Sequence, residues 1–80
     1  MDEVTLNSLT PGEKGIIARI SASSGNTRQR LLEMGLTKGT PIELIRFAPM
    51  GDPMEIRVKG YRLSIRRLEA ESIVIRKVAS

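Results

Sequence analysis

Between Met54 and Ile65 the chain alternates cleanly between apolar and polar residues. Met54, Ile56 and Val58 are interleaved with Glu55, Arg57 and Lys59, Gly60 interrupts, and Tyr61, Leu63 and Ile65 are interleaved with Arg62, Ser64 and Arg66. A period of two on either side of a glycine predicts a β-hairpin with one apolar and one charged face. The apolar face has to be buried, with Tyr61 placed inside by its phase. A chain of 80 residues has room for one core only, so the whole of 1–80 is read as a single domain built around this hairpin.

The remaining segments supply the other walls. Pro11-Gly12 suits a type II turn. From Lys14 to Ser21 the spacing is that of a strand, with Ile16, Ala18 and Ile20 on one face and Ile17 and Arg19 on the other. A loop of small residues, 21–25, leads to Asn26. With Gln29 three residues on, Asn26 reads as the N-cap of a short helix over Thr27 to Met34. Leu31, Leu32, Met34 and Leu36 share its inward sector, and Gly35 stands where a left-handed C-terminal cap is wanted. Ile42 to Phe47 reads as a strand whose alternation slips at Leu44-Ile45, the mark of a bulge. Arg67 to Glu71 can form one helical turn, and Ser72 to Val78 a last strand. The sum is mostly β: about five short strands with one short inserted α-helix. Short strands at turn-rich spacing favour a small closed barrel, since closure removes sheet edges. The SH3-like barrel and the OB-fold both fit, and the helix position after the first strand favours the SH3-like barrel.

Composition narrows the function. The chain has no Cys and no His, which removes disulfides, thiolate metal sites, His-based triads and the commonest transition-metal ligand. Phe47 and Tyr61 are the only aromatics, so the core is aliphatic. No pair of carboxylates announces general acid–base work, and no glycine-rich phosphate loop occurs. The chain is expected not to be an enzyme and to hold no cofactor and no metal. No apolar run nears the ~20 residues of a membrane span. Met1-Asp2-Glu3 does not open a secretory signal, so the expected location is the cytoplasm.

Two features point outward. The stretch from Arg57 to Arg67 carries Arg57, Lys59, Arg62, Arg66 and Arg67 and no acid. It suits a nucleic-acid backbone, an acidic protein partner, or a solvated strand face. Met50, between Pro49 and Pro53, is the methionine least suited to the core and a candidate adaptable contact. Arg28 and Arg30 open the helix, where positive charge opposes the macrodipole. That suggests a partner, or an internal ion pair with Glu33.

Four segments in register make the chain resemble the FeoA family: Leu6 to Glu13, Arg28 to Pro41, Ala48 to Pro53, and Gly60 to Ala70. The resemblance covers nearly the whole chain. It implies an SH3-like barrel with an inserted helix and a small, non-enzymatic, cytoplasmic accessory protein of bacterial ferrous iron uptake. The implied partner is FeoB, the membrane ferrous iron transporter with a G-protein domain, whose cytoplasmic region it would bind and regulate or assemble. A related module ends the DtxR-type repressors. The chain opens at Met1 with no DNA-binding segment before it, so a standalone accessory protein is expected. The family's motifs carry over to Arg30, Leu31, Met34 and Gly35 in the helix and to Pro49, Met50, Gly51, Asp52 and Pro53 in the loop; the partner-binding residues expected are Arg28, Arg30, Leu31, Met34, Met50, Gly51, Asp52 and Pro53. Arg28 and Arg30 are also the candidates for an arginine finger toward GTP. A homo-oligomer stays open, and a small basic barrel binding RNA or DNA is the alternative.

Overall fold

The computed structural model describes residues 3–21 and 25–78. It contains β1 (Glu3–Thr5), a 3-10 turn (Leu6–Ser8), β2 (Lys14–Ile20), α1 (Gly25–Glu33), β3 (Pro41–Phe47), β4 (Met54–Val58), β5 (Tyr61–Ile65), α2 (Arg67–Ala70) and β6 (Ile73–Val78). The strands form one antiparallel sheet in the order β1-β6-β2-β3-β4-β5. Six strands are present rather than five: β1 was not foreseen, being three residues long and too short to show a period. Among the described residues no ladder joins β5 to β1, so the sheet curls around its core without closing its hydrogen-bond cycle. The two edges are kept short or charged instead, by Glu3 on β1 and Arg62 on β5.

Two bulges set which residues face inward. The β2–β6 register shifts between Ile17 and Arg19. Gly15, Ile17 and Ile20 therefore point to the core while Ile16 and Arg19 face out. The extra residue puts Ile16 and Ile20 on opposite faces, where a strict period of two had placed them together. The β3–β4 register shifts between Leu44 and Arg46, at the place where the alternation slips. The core is wholly aliphatic at its centre, with Leu6, Leu31, Leu36, Leu44, Met54, Ile56, Ile65, Ile73 and Ile75 completely enclosed.

Helix α1 begins at Gly25, so Asn26 lies inside it rather than capping it. The small residues 22–24 lie outside the described residues. Gln29 donates to Glu33 one turn on, at 3.2 Å, not back to a cap. The C-terminal end behaves as expected. Gly35 takes φ +90°, Leu36 N–H bonds the Leu31 carbonyl at 3.2 Å, and Gly35 N–H bonds the Leu32 carbonyl at 3.0 Å. That is a Schellman cap, which needs a left-handed residue at Gly35. Leu31 and Leu36 are buried, but Leu32 is exposed, because a helix this short offers one narrow inward sector. Tyr61 is also corrected. It is 45% exposed, with its hydroxyl donating to the Met34 carbonyl at 2.7 Å. A phenol hydroxyl needs a partner, and the end of α1 supplies one at the surface.

Candidate partner-binding surface

The loop between β3 and β4 closes on its own backbone. Ala48 N–H bonds the Pro53 carbonyl at 2.9 Å, and Gly51 N–H bonds the Ala48 carbonyl at 2.7 Å. Proline on either side leaves the loop few donors, which suits a stiff projection. Its base is held by a cross-strand ion pair, Arg46 Nε to Glu55 Oε1 at 2.9 Å. The hydrogen bond from Arg46 holds the Glu55 carboxyl below its usual range and raises the Arg46 guanidinium.

Helix α2 leans on this loop. The Arg67 N–H donates to Asp52 Oδ1 at 3.0 Å, satisfying a helix-start donor from outside the helix. The Arg67 guanidinium lies over the Phe47 ring, 5.1 Å from its centroid. Glu69 then ties α2 to two neighbours. Its Oε1 accepts the Arg66 N–H at 3.2 Å and its Oε2 meets Arg30 NH1 of α1 at 2.9 Å. A depression of about 270 Å³ opens between these parts, lined by Arg30, Asp52, Pro53, Ser64, Arg66 and Glu69. The loop and α2, which contribute Asp52, Pro53 and Glu69 to it, also carry the two most exposed large apolar side chains of the described residues, Met50 at 93% and Leu68 at 75%. Exposed apolar groups rimmed by polar and charged residues mark an interaction surface.

The structure sorts the expected residues. It brings Arg30, Asp52 and Pro53 to one depression, with Met50 and Gly51 in the same loop. It does not bring Arg28 there. The Arg28 guanidinium donates to the Ile20 carbonyl at 2.6 Å and pins α1 to the end of β2. Arg30 pairs with Glu69, so neither arginine pairs with Glu33. Leu31 is completely enclosed and presents no surface. Met34 is half-buried and contributes its carbonyl to Tyr61. Leu68 and the stacking of Arg67 on Phe47 were not foreseen, and Arg66 and Arg67 were singled out only as part of the basic stretch. A signal for Leu68 existed: in a one-turn helix Ala70 takes the inward sector, and a residue two positions away points to the opposite side.

Among the described residues no group of three or more acidic side chains is placed to hold a metal ion. No described helix is long and apolar enough to cross a membrane.

The model of the FeoA domain family matches residues 4–77. A protein of Porphyromonas gingivalis described as an Fe(2+) transport protein A/Fe(2+) transporter FeoB fusion protein is 35% identical over 75 residues. The match takes in 94% of this chain and 9% of that protein, so the chain spans about a tenth of its relative's length. Among solved structures, an iron uptake regulatory protein (FeoA) superposes with TM-score 0.85 at 39% identity, covering 96% of this chain and 100% of the other. FeoA of Stenotrophomonas maltophilia, crystallised with zinc and described as a prokaryotic SH3 domain protein, superposes with TM-score 0.78 at 25% identity, covering 90% and 88%.

Proposed function

The chain belongs to the FeoA family, non-enzymatic accessory proteins of ferrous iron transport, and from that premise we propose that it binds the cytoplasmic region of FeoB through the Met50 loop and α2. The observation that carries this reading is the relative in which a segment like this chain is one polypeptide with the transporter. Fusion raises the effective concentration of one module at the other, which has a use only where the two meet. Met50 and Leu68 supply the apolar anchors. Arg30, Arg66 and Arg67 give orientation toward carboxylates. Regulation follows when this surface fits one conformation of the partner better than another, since a ligand shifts an equilibrium only by its differential affinity. The contact belongs in the cytoplasm, where the partner's G-protein domain lies.

Calorimetric titration into the isolated cytoplasmic region of FeoB tests the reading, with a GTP analogue and with GDP, at two salt concentrations. Saturable binding that differs between nucleotides, depends weakly on salt and is lost in Met50→Asp is expected. No heat in either nucleotide state overturns a contact with the soluble region. Undiminished binding by Met50→Asp moves the contact off this loop.

A further inference from the structure

At the opposite end of the β3–β4 hairpin the strand register assembles a second surface. Cross-strand partners share a face, and so do residues two apart along a strand. Lys14 pairs with both Glu43 and Val78, Ile16 with both Pro41 and Arg76, Glu43 with Arg57, and Arg57 with Arg62. All therefore lie on the outer face of the sheet. Ile16 and Val78, 39% and 44% exposed, flank a groove of about 390 Å³ whose lining is mainly apolar. Pro41 completes its floor, and Lys14, Arg57 and Lys59 stand along it. Glu43 is the one acid in the lining, and its pairing with Arg57 is loose, at 3.8 Å. Lys14 and Arg62 make no salt bridge among the described residues.

A groove with an apolar floor and an excess of cations is complementary to one chemistry in particular. We propose that this outer face binds a peptide segment of a protein partner that carries branched apolar side chains between carboxylates. The apolar floor takes the aliphatic side chains, and Lys14, Arg57 and Arg62 meet the acids. Nucleic acid fits less well. Tyr61, the aromatic of this hairpin, pairs with Val58 on the other face and has its hydroxyl engaged by Met34, so no ring is offered to a base. The surface is also separate from the Met50 loop. Strand β3 runs from Pro41 at the groove to Phe47 at the loop, roughly 20 Å at the usual rise per residue. The proposal stands apart from the transporter contact, and a domain with both surfaces could hold two segments at once.

The test is an NMR titration of the full ¹⁵N-labelled chain with an acetylated peptide, Glu-Glu-Asp-Leu-Val-Asp-Glu-Glu. Two comparators are used: the same peptide with Gly-Gly for Leu-Val, and a single-stranded oligothymidine. Saturable shifts are expected at the amides of Lys14 to Ile17, Ile42, Glu43, Arg57 to Gly60 and Val78. Val78→Glu is expected to weaken binding about tenfold, the equivalent of losing one well-buried apolar contact. Lys14→Glu is expected to weaken it while keeping the dispersed spectrum of the folded chain. Equal binding of the Gly-Gly peptide overturns the proposal, because only charge would then be read. Shifts confined to residues 48–53, or no shifts, overturn it as well. Oligothymidine moving the same amides, with affinity falling steeply between about 50 and 200 mM salt, assigns the face to nucleic acid instead.

Discussion

A Cβ built on Gly15 would come within 2.7 Å of Ile75 Cδ1 and 3.0 Å of the Arg76 carbonyl oxygen. The methyl end of Ile75 can turn aside, but the carbonyl belongs to the neighbouring strand and cannot. Gly15→Ala is therefore expected to cost about 1–3 kcal/mol by overpacking, read as a lower denaturation midpoint with an unchanged slope. Glu13 makes the complementary case on the surface. Its Oε2 sits 2.7 Å from Lys77 Nζ and its Oε1 accepts the Thr10 N–H at 2.8 Å. The bond to Lys77, then that to the Thr10 backbone, pull its carboxyl down to about 2. A carboxyl depressed in the folded state stabilises the fold fully above its ordinary value, 4.5, and loses that contribution as pH falls toward about 2. Thermal melts of the wild type should therefore drop between these limits more steeply than those of Glu13→Gln. Equal slopes would show that the carboxylate is not linked to folding.

Helix α1 is attached to the sheet by few and identifiable bonds. Leu31 on its inward face and Leu36 just past its cap are buried in the core. At its start Arg28 holds the Ile20 carbonyl, and at its end Tyr61 holds the Met34 carbonyl. A helix of under three turns has little stability of its own, so these anchors decide its protection. Tyr61→Phe should lower global stability by about 0.5–1.5 kcal/mol. It should speed amide exchange in Leu31 to Gly35 more than in β6. Uniform acceleration would deny the hydroxyl a local role. Elements of this kind show where the sequence was legible and where it was not. The hairpin, the Gly35 cap, the bulge at Leu44 and the helical turn at Arg67 were readable because each has a local cause: a period, a glycine, a slipped phase. Strand β1 was not, since pairing with β6 makes it a strand and three residues carry no period. The bulge near Ala18 left no local mark, because Ile16, Ile17 and Ile20 offer apolar residues to either phase. The helix start was misplaced for a similar reason, as Asn26 suits a cap and a first turn alike. In the candidate surface, Met50 and its loop were visible as an apolar residue among breakers. The partners of Arg30 and Arg67 were not, because Glu69 and Phe47 reach them only through the tertiary fold.

At the scale of the whole molecule, folding and recognition draw on neighbouring residues with opposite exposures. Proteins of this length are stable by about 4–12 kcal/mol in total, and Leu→Ala at an enclosed core site costs about 2–5 kcal/mol. Leu31 is such a site, although the family motif in which it stands also reads as contact surface. Leu31→Ala should therefore weaken partner binding only by lowering the folded fraction. Apparent affinity falls in proportion to that fraction and returns when the fraction is restored. Leu68, at 75% exposure, contributes little to the core, so Leu68→Asp should leave the melting temperature within a few degrees of wild type. It should nonetheless remove the contact at every temperature. Binding to the FeoB cytoplasmic region, measured for both variants on cooling from the midpoint of Leu31→Ala, separates the two roles. Recovery by Leu31→Ala with none by Leu68→Asp assigns the first to folding and the second to the interface. Persistent loss by a fully folded Leu31→Ala would mean that α1 has to open to meet its partner, exposing Leu31 as it does so.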